Sequence, residues 1–185
     1  ETIWQARRKC PQLILARARR GLYSDYCEKV NAIYEEYSDM VERAGIDESY
    51  LDITGSLHLF SPGGKAGFPE AEALAHRIRE RVKSETSLTV SVGVSFNKVF
   101  AKLGSDYKKP DAVTLITPDN FREIVWPLPA GDMLLVGRNA AAHLQELNIH
   151  TIGQLAAGDE RLLISAFGKM GPEMRRYANG LDSSP

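Results

Sequence analysis

The sequence predicts an α+β fold, in which a ferredoxin-like unit is followed by a small all-helical region. Two observations support this prediction. Between residues 45 and 116, segments follow the order strands, helix, strand, helix, strand, which is the split βαβ arrangement. After Thr117-Pro118 the sequence favours short helices and turns and shows no strong strand pattern. We therefore expect an antiparallel or mixed sheet with its helices on one face.

Local patterns place each element before residue 117. The predicted elements are a helix over 3–9, a strand at Leu13–Leu15, a helix over 23–38, strands around Tyr50–Thr54 and Leu57–Phe60, a helix from Pro69, a strand at Leu88–Phe96, a helix after Asn97 and a strand at Val113–Ile116. Pro11 disfavours helix at the residue before it, and apolar residues in 23–38 recur every three or four positions. Pro69 suits the first turn of a helix, and Asn97 is a favoured N-cap. The alternating valines of 88–96 indicate a strand.

The region after residue 117 is predicted to be helical over Leu134–Ile149 and Leu155–Ala178. We expect these helices to be broken by glycines, namely Gly137, Gly153, Gly168 and Gly171. The resulting pairs of short helices would be helix-hairpin-helix-like units. Because the character of the sequence changes at this point, we place a domain boundary near residue 117.

The composition is that of a globular protein. The 185 residues are 43% hydrophobic and 25% charged, and no apolar run approaches the length of a membrane span. The first residues do not resemble a secretory leader. Cys10 and Cys27 lack metal-binding spacing, and the four histidines are scattered, so we expect no zinc site and a reducing, cytoplasmic location.

Charge is segregated along the chain, although the formal net charge is only −1. Residues 1–20 carry six basic side chains and one acidic one, whereas residues 28–52 carry eight acidic and two basic ones. Residues 98–109 carry four lysines and one aspartate. Separate patches of this kind suit a protein that holds cations in one place and phosphates in another, although charge runs are often solvated helix faces.

The adjacent carboxylates Asp47 and Glu48 precede the strand around Tyr50–Thr54. Ionised carboxylates offer oxygen ligands, which Mg²⁺ prefers, so the pair could hold metal against a triphosphate. The alternative is a solvated pair in a turn. Asp52 lies five residues further along the strand, roughly 16 Å at about 3.3 Å per residue, so it cannot reach the same metals. We interpret Asp52 as a structural or solvated residue.

Several motifs, in this order, resemble the Y-family (translesion) DNA polymerases. Asp47–Asp52, with the letters DESYLD, is similar to the central catalytic motif of that family. The segment 91–102 with Lys108-Lys109-Pro110 is similar to its second palm motif. The remaining matching segments are Cys10-Pro11 with Tyr23, Val136-Gly137-Arg138 followed by Asn148-Ile149, and Phe167-Gly168-Lys169.

The resemblance implies the remnant of a fingers domain at residues 1–19, a catalytic palm at 20–116 and a helical thumb at 117–185. It implies that Asp47 and Glu48 bind two Mg²⁺ ions, for which Mn²⁺ can substitute, together with an aspartate absent from this sequence. It further implies that Lys109 contacts the triphosphate of a dNTP. The candidate contacts to primer–template DNA are Lys98, Lys102, Gly137, Arg138, Gly168 and Lys169.

Departures from the family pattern lead to further expectations. The first metal-binding aspartate, most of the fingers, the sugar-discriminating residue and a C-terminal DNA-gripping domain are absent from this sequence. We therefore expect an inactive, monomeric fragment that binds DNA weakly, and a sliding clamp would be contacted through the missing C-terminal part. Gly45 stands where the family usually has serine, and Leu135 where it often has glycine.

Two other functions remain open at this point. The chain could be a non-catalytic DNA-binding module, in which the helical region grips the backbone and the sheet is a scaffold. It could also be a nucleotide cyclase, which uses two metals on a ferredoxin-like sheet. A cyclase, however, would not explain the helices after residue 117.

Overall fold

The computed structural model describes residues 1–184, which form ten α-helices and four three-residue strands. In chain order the elements are α1 (Ile3–Lys9), α2 (Arg20–Glu35), β1 (Val41–Arg43), β2 (Ser49–Leu51), α3 (Leu57–Phe60), α4 (Phe68–Thr86), β3 (Val92–Val94), α5 (Lys98–Tyr107), β4 (Val113–Leu115), α6 (Phe121–Ile124), α7 (Arg138–Glu146), α8 (Ile152–Ala157), α9 (Glu160–Phe167) and α10 (Met170–Ala178). Short 3₁₀ turns lie at Pro62–Gly64 and Ala130–Asp132. Among these helices, none has both the length and the apolar character needed to cross a bilayer.

The strands pair in both directions, which confirms the α+β class. β1 and β2 form an antiparallel hairpin, in which Arg43 lies opposite Ser49. β3 and β4 are parallel, and Val92 lies opposite Val113. Within residues 1–184 these pairs form two separate two-stranded sheets, and residues of β2 and β3 line one cavity.

Helix α5 begins after Asn97, where the sequence predicts, and α4 begins at Phe68, next to the predicted Pro69. Asn97 caps α5 by accepting a hydrogen bond from the Phe100 amide at 2.8 Å. α4 carries Pro69 and Glu70 in its first turn and Lys83 in its last, an order that complements the helix dipole.

Two predicted strands are wrong. Leu13–Leu15 has no regular structure, and Ile14 is 89% exposed, because no described strand pairs with this segment. Leu57–Phe60 forms α3 instead of a strand. Its two apolar ends are three residues apart, so one helical turn brings both against the same core, whereas a strand would direct them to opposite faces.

The strand at Leu88–Phe96 is shorter than predicted, because its partner β4 pairs with only three residues. The prediction that Gly153 and Gly171 break helices is also wrong, since they lie inside α8 and α10. A Cβ atom at Gly171 would lie 2.3 Å from the Leu163 carbonyl oxygen. This glycine therefore allows α10 to approach α9 closely.

The apolar side chains form two cores. The first packs α2, α3 and α4 against the strands, and Leu74 and Val82 are at its centre. The second packs the helices after residue 117 against α5, which contributes Phe100 and Leu103. α5 thus joins the two regions, and the division into residues 1–19, 20–116 and 117–185 stays a prediction.

The end of the helical region is fixed to the start of α5. The Asn97 side-chain amide donates to the Gly180 carbonyl at 2.9 Å, and the Val99 amide donates to Asp182 Oδ2 at 3.3 Å. The indole of Trp126 donates to the Ala178 carbonyl at 3.1 Å. The bonds from Asn97 and Val99 connect Gly180 and Asp182 to the start of α5, whereas the Trp126 bond lies within the helical region.

Candidate active site

Asp47 and Glu48 lie in the turn that connects β1 and β2. The amides of Ala44 and Gly45 both donate to the Glu48 carbonyl, at 3.0 and 3.1 Å. These bonds close the turn and fix Glu48 at the head of β2. Both carboxylates are exposed, so they are accessible to a ligand.

A buried polar pair connects this turn to α2. The Ser49 hydroxyl donates to Asn31 Oδ1 at 2.7 Å, and the Asn31 amide donates to the Cys27 carbonyl at 2.9 Å. Asn31 is only 3% exposed. Our reading of the sequence missed this residue, although an asparagine between Val30 and Ile33 on an apolar helical face could have indicated it.

The two lysines of α5 both pair with carboxylates of the β1–β2 hairpin. Lys102 pairs with Glu48, and its ammonium lies 3.2 Å from Asp106 Oδ2. Lys98 pairs with Glu42, and its ammonium lies 5.5 Å from the centre of the Tyr50 ring. Contact of these lysines with DNA stays a prediction.

Asp106 also binds Lys109, whose ammonium lies 2.6 Å from Asp106 Oδ1. Glu48, Lys102, Asp106 and Lys109 therefore form a row of four alternating charges, which we call the charge row. It connects the carboxylate motif to the predicted triphosphate lysine, and residues distant in the sequence become neighbours.

A cavity of about 450 Å³ lies beside the charge row, between the two small sheets. Asp47, Glu48, Lys102 and Lys109 all contribute to its lining. Apolar side chains of the strands and of α4, including Leu51, line it as well. The structure thus brings the predicted metal ligands and the predicted phosphate ligand to one cavity.

The neighbouring charges shift the pKa values inside the charge row. Burial favours the neutral form of Lys102, but its hydrogen bonds to Glu48 and Asp106 outweigh burial and raise its pKa. Burial likewise opposes ionisation of Asp106, but bonds from Lys109 and Lys102 lower its pKa. Both groups are therefore charged at neutral pH.

Asp52 takes no part in the charge row. Its Oδ1 accepts a hydrogen bond from the Thr54 amide at 2.9 Å, and the bonds to Thr54 lower its pKa. Its side chain is exposed and is absent from the cavity lining. The interpretation of Asp52 as a structural or solvated strand residue stays a prediction, and β2 ends at Leu51, one residue before it.

The other predicted DNA contacts lie at two helix starts in the helical region. Gly137 is the N-cap of α7, and Arg138 is its first residue. Gly168 has a φ of +59° between α9 and α10, and Lys169 is the N-cap of α10. All four residues are exposed, and the structure does not bring them to the cavity.

The two departures from the family pattern differ in their surroundings. A Cβ atom at Gly45 would meet only Asp47 Oδ1, at 3.8 Å, so a serine would fit there. Leu135 has a φ of +73°, a conformation that favours glycine. Leu135 therefore occupies a strained backbone position next to the start of α7.

The donor set suits a hard divalent cation. Carboxylate oxygens are the ligands that such cations take, and Glu48 already pairs with one positive charge in this structure, the ammonium of Lys102. In residues 1–184, however, no three His, Cys, Asp or Glu side chains are grouped to hold a metal. Asp47 and Glu48 thus fit part of a metal site that needs a further carboxylate.

Comparisons with known proteins match part or all of this chain. The impB/mucB/samB family matches residues 1–106. The chain is 46% identical over 185 residues to DNA polymerase IV of Acetivibrio thermocellus, and 38% identical over 183 residues to DNA polymerase IV 1 of Bacillus subtilis. These alignments cover 100% and 99% of the chain but 44% and 42% of the relatives, so the chain spans less than half of their length.

The fold is also similar to a solved structure. The crystal structure of DinB from Sulfolobus solfataricus matches with a TM-score of 0.87 and 26% sequence identity. The match covers 99% of this chain and 52% of the solved chain. It therefore includes both the sheet region and the helices after residue 117.

Proposed function

This chain belongs to the impB/mucB/samB family of Y-family DNA polymerases, and from that premise we propose that it supplies the palm and thumb of a template-directed translesion polymerase. The reaction would join a dNTP to the 3′-hydroxyl of a primer. The observation that supports this proposal is the shared cavity, which Asp47, Glu48 and Lys109 all line.

Asp47 and Glu48 would hold the two Mg²⁺ ions together with a further carboxylate from outside the printed sequence, and Mn²⁺ could replace them. Bound in this way, the metals would activate the primer hydroxyl and neutralise charge on the triphosphate. Asp47 and Glu48 contribute fixed negative charge at the head of a strand. The hydrogen bonds that close their turn keep this charge in place.

Lys109 would bind the triphosphate. Its side chain is half-exposed and lines the cavity, and its ammonium lies 2.6 Å from Asp106 Oδ1. A lysine ammonium is a compact positive charge, so it can offset the negative charge that develops on the departing pyrophosphate.

The starts of α7 and α10 would bind the DNA backbone. Helix N-termini present unpaired amides and a positive dipole end, which favour phosphate. Gly137 and Gly168 permit close approach, and Arg138 and Lys169 add positive charge. Because phosphate contacts carry no sequence information, this surface suits an enzyme that accepts any template. Lys98 and Lys102 are further candidates for DNA contact.

The remaining parts of the proposal concern the whole protein. Its partners would be primer–template DNA, a dNTP and a sliding clamp, the last contacted by residues outside this sequence. We place the protein in the cytoplasm. The 185-residue chain alone would be a monomer without polymerase activity, since no third carboxylate is grouped with Asp47 and Glu48 in residues 1–184.

Primer extension by the full-length protein tests the catalytic assignment. Replacement of both carboxylates, Asp47→Ala with Glu48→Ala, should abolish extension, because the metals lose their ligands. The control is Asp52→Ala, which removes a nearby carboxylate outside the cavity and should leave activity near that of the parent. Full activity of the double variant would refute the assignment.

One observation favours a second candidate, a non-catalytic DNA-binding module. In this structure Glu48 and Lys109 are both neutralised by internal ion pairs, as they would be at a site that no longer binds substrate. Titration of the full-length protein with Mn²⁺ and a dNTP separates the two. A module without catalytic function would bind DNA but show no metal-dependent dNTP binding.

A further inference from the structure

We infer that Lys102 is an internal counter-cation, which occupies Glu48 until a divalent cation replaces it, and that Asp106 then retains the displaced ammonium. This inference rests on the proposed function, because it assumes that Glu48 binds metal. It assigns to Lys102 a positioning role at the metal site, in place of a contact with DNA.

The geometry gives Lys102 two carboxylates at once. Its ammonium pairs with Glu48 on one side and lies 3.2 Å from Asp106 Oδ2 on the other. Lys102 and Asp106 are one helical turn apart on α5, so their pair survives when Glu48 is taken away. The lysine stem is flexible, and a small rotation moves the ammonium wholly to Asp106.

The positive charge of Lys102 stabilises the two carboxylates when no metal is bound. The Lys102 side chain is only 24% exposed and lines the cavity with Asp47 and Glu48. Without a cation, these adjacent carboxylates repel each other at the head of β2. The ammonium of Lys102 offsets that repulsion, and partly exposed ion pairs are weak enough for a divalent cation to displace it.

Asp106 connects this exchange to the phosphate side of the cavity. It holds Lys109 at 2.6 Å through Oδ1 while it contacts Lys102 through Oδ2. Departure of Lys109 to a triphosphate leaves Asp106 with more capacity for Lys102. When Lys102 leaves Glu48, its ammonium moves to Asp106 and replaces the positive charge of Lys109 there.

Lys98 provides a matched control on the same helix. It lies one turn before Lys102 and also pairs with a glutamate of the β1–β2 hairpin, Glu42. It is absent from the cavity lining, and Glu42 is not a predicted metal ligand. Removal of Lys98 costs the same charge and a similar ion pair without freeing Glu48.

Mn²⁺ binding tests the inference directly, with free Mn²⁺ measured by electron paramagnetic resonance on the full-length protein, which includes the further carboxylate. Lys102→Met should tighten Mn²⁺ binding about two- to fivefold, the range expected for loss of one competing ion pair. Lys102→Arg keeps the charge but holds Glu48 through a bidentate pair, so it should weaken binding. Lys98→Met should leave binding unchanged, and circular dichroism should show that each variant is folded.

The Asp106→Asn variant separates counter-cation exchange from simple through-space electrostatics. If Asp106 acts by retaining Lys102, Asp106→Asn should weaken Mn²⁺ binding in the parent chain and have no effect beside Lys102→Met. An equal weakening in both backgrounds, or equal tightening by Lys98→Met and Lys102→Met, would overturn the inference.

The same titration distinguishes failure of the inference from failure of the proposed function. Loss of binding in the Asp47→Ala, Glu48→Ala variant, with Lys102→Met unchanged from the parent, would overturn the inference alone. Binding that survives removal of both carboxylates, or no binding to either the parent or Lys102→Met, would overturn both.

Discussion

The two hydrophobic cores of this chain differ in how completely they close. In the helical core, Leu144, Leu155 and Leu163 are fully buried. The core of α2, α4 and the strands instead opens onto a cavity of about 450 Å³, and its strands are only three residues long. The candidate site lies on the incompletely packed side, where polar groups can meet a ligand without leaving a void in a closed core.

Matched leucine truncations, one in each core, test whether the two cores differ in packing. Leu155→Ala removes a fully buried side chain and should lower the free energy of unfolding by about 2–5 kcal/mol. Leu51→Ala acts at a half-buried side chain that already lines the cavity, so it should cost about 1 kcal/mol. Urea unfolding measures both, and equal losses would contradict the contrast between the cores.

Variants of the Asn31–Ser49 pair test whether hydrogen bonding stabilises the region beside the cavity, where packing is incomplete. Asn31→Ala leaves the Ser49 hydroxyl without its acceptor and should cost about 1–3 kcal/mol of stability. A double-mutant cycle with Ser49→Ala should show that the second change adds little once Asn31 is gone. Additive losses would mean that the two side chains act separately.

The strained backbone of Leu135 allows a further stability test in the region of the helical core. Leu135→Gly should raise the free energy of unfolding by about 0.5–1 kcal/mol, because glycine adopts the positive φ without steric cost and the side chain is half-exposed. The neighbouring Leu134→Gly, at a residue without positive φ, should destabilise the protein. Thermal melts compare the two, and a loss of stability in both variants would argue against strain at Leu135.

The smallest expected effect is on the pH dependence of stability, through Asp111 beside the cavity. The hydrogen bond from Lys83, at 2.6 Å, lowers the pKa of Asp111 in the folded protein. Its stabilisation is thus present above the pKa of an unfolded aspartate, about 3.9, and is lost as the pH falls through the lower folded value. Asp111→Asn should therefore show a smaller fall in stability between pH 7 and pH 3. An unchanged fall would assign the acid sensitivity to other carboxylates.

Local chemistry in the sequence predicts much of this fold. The Asn97 cap, the proline at the start of α4 and the alternating valines of β3 act through neighbours in the chain, so their patterns are visible. The turn of α3 was missed because only its packing against the first core distinguishes it from a strand. The roles of Gly153 and Gly171 were missed because the Trp126 and Leu163 atoms that they approach lie elsewhere in the sequence.

The candidate site likewise combines residues that could be predicted from the sequence with contacts that could not. The carboxylate pair and Lys109 could be found from motifs, because their residue types and spacing carry the chemistry. The partners of these residues could not be found, since Lys102 meets Glu48 only through the packing of α5 beside the hairpin. Contact of Lys102 with DNA stays a prediction, and the periodicity of the sequence could not indicate that this lysine pairs with Glu48.

The bonds from Asn97 and Val99 to the last described residues have a mechanical consequence. α5 is anchored at its start to the helical region and, through Lys98 and Lys102, to the hairpin of the first sheet. All of these contacts fall between residues 97 and 102, at the N-terminal end of α5. A displacement of the helices after residue 117 would therefore also shift Lys102, the partner of Glu48.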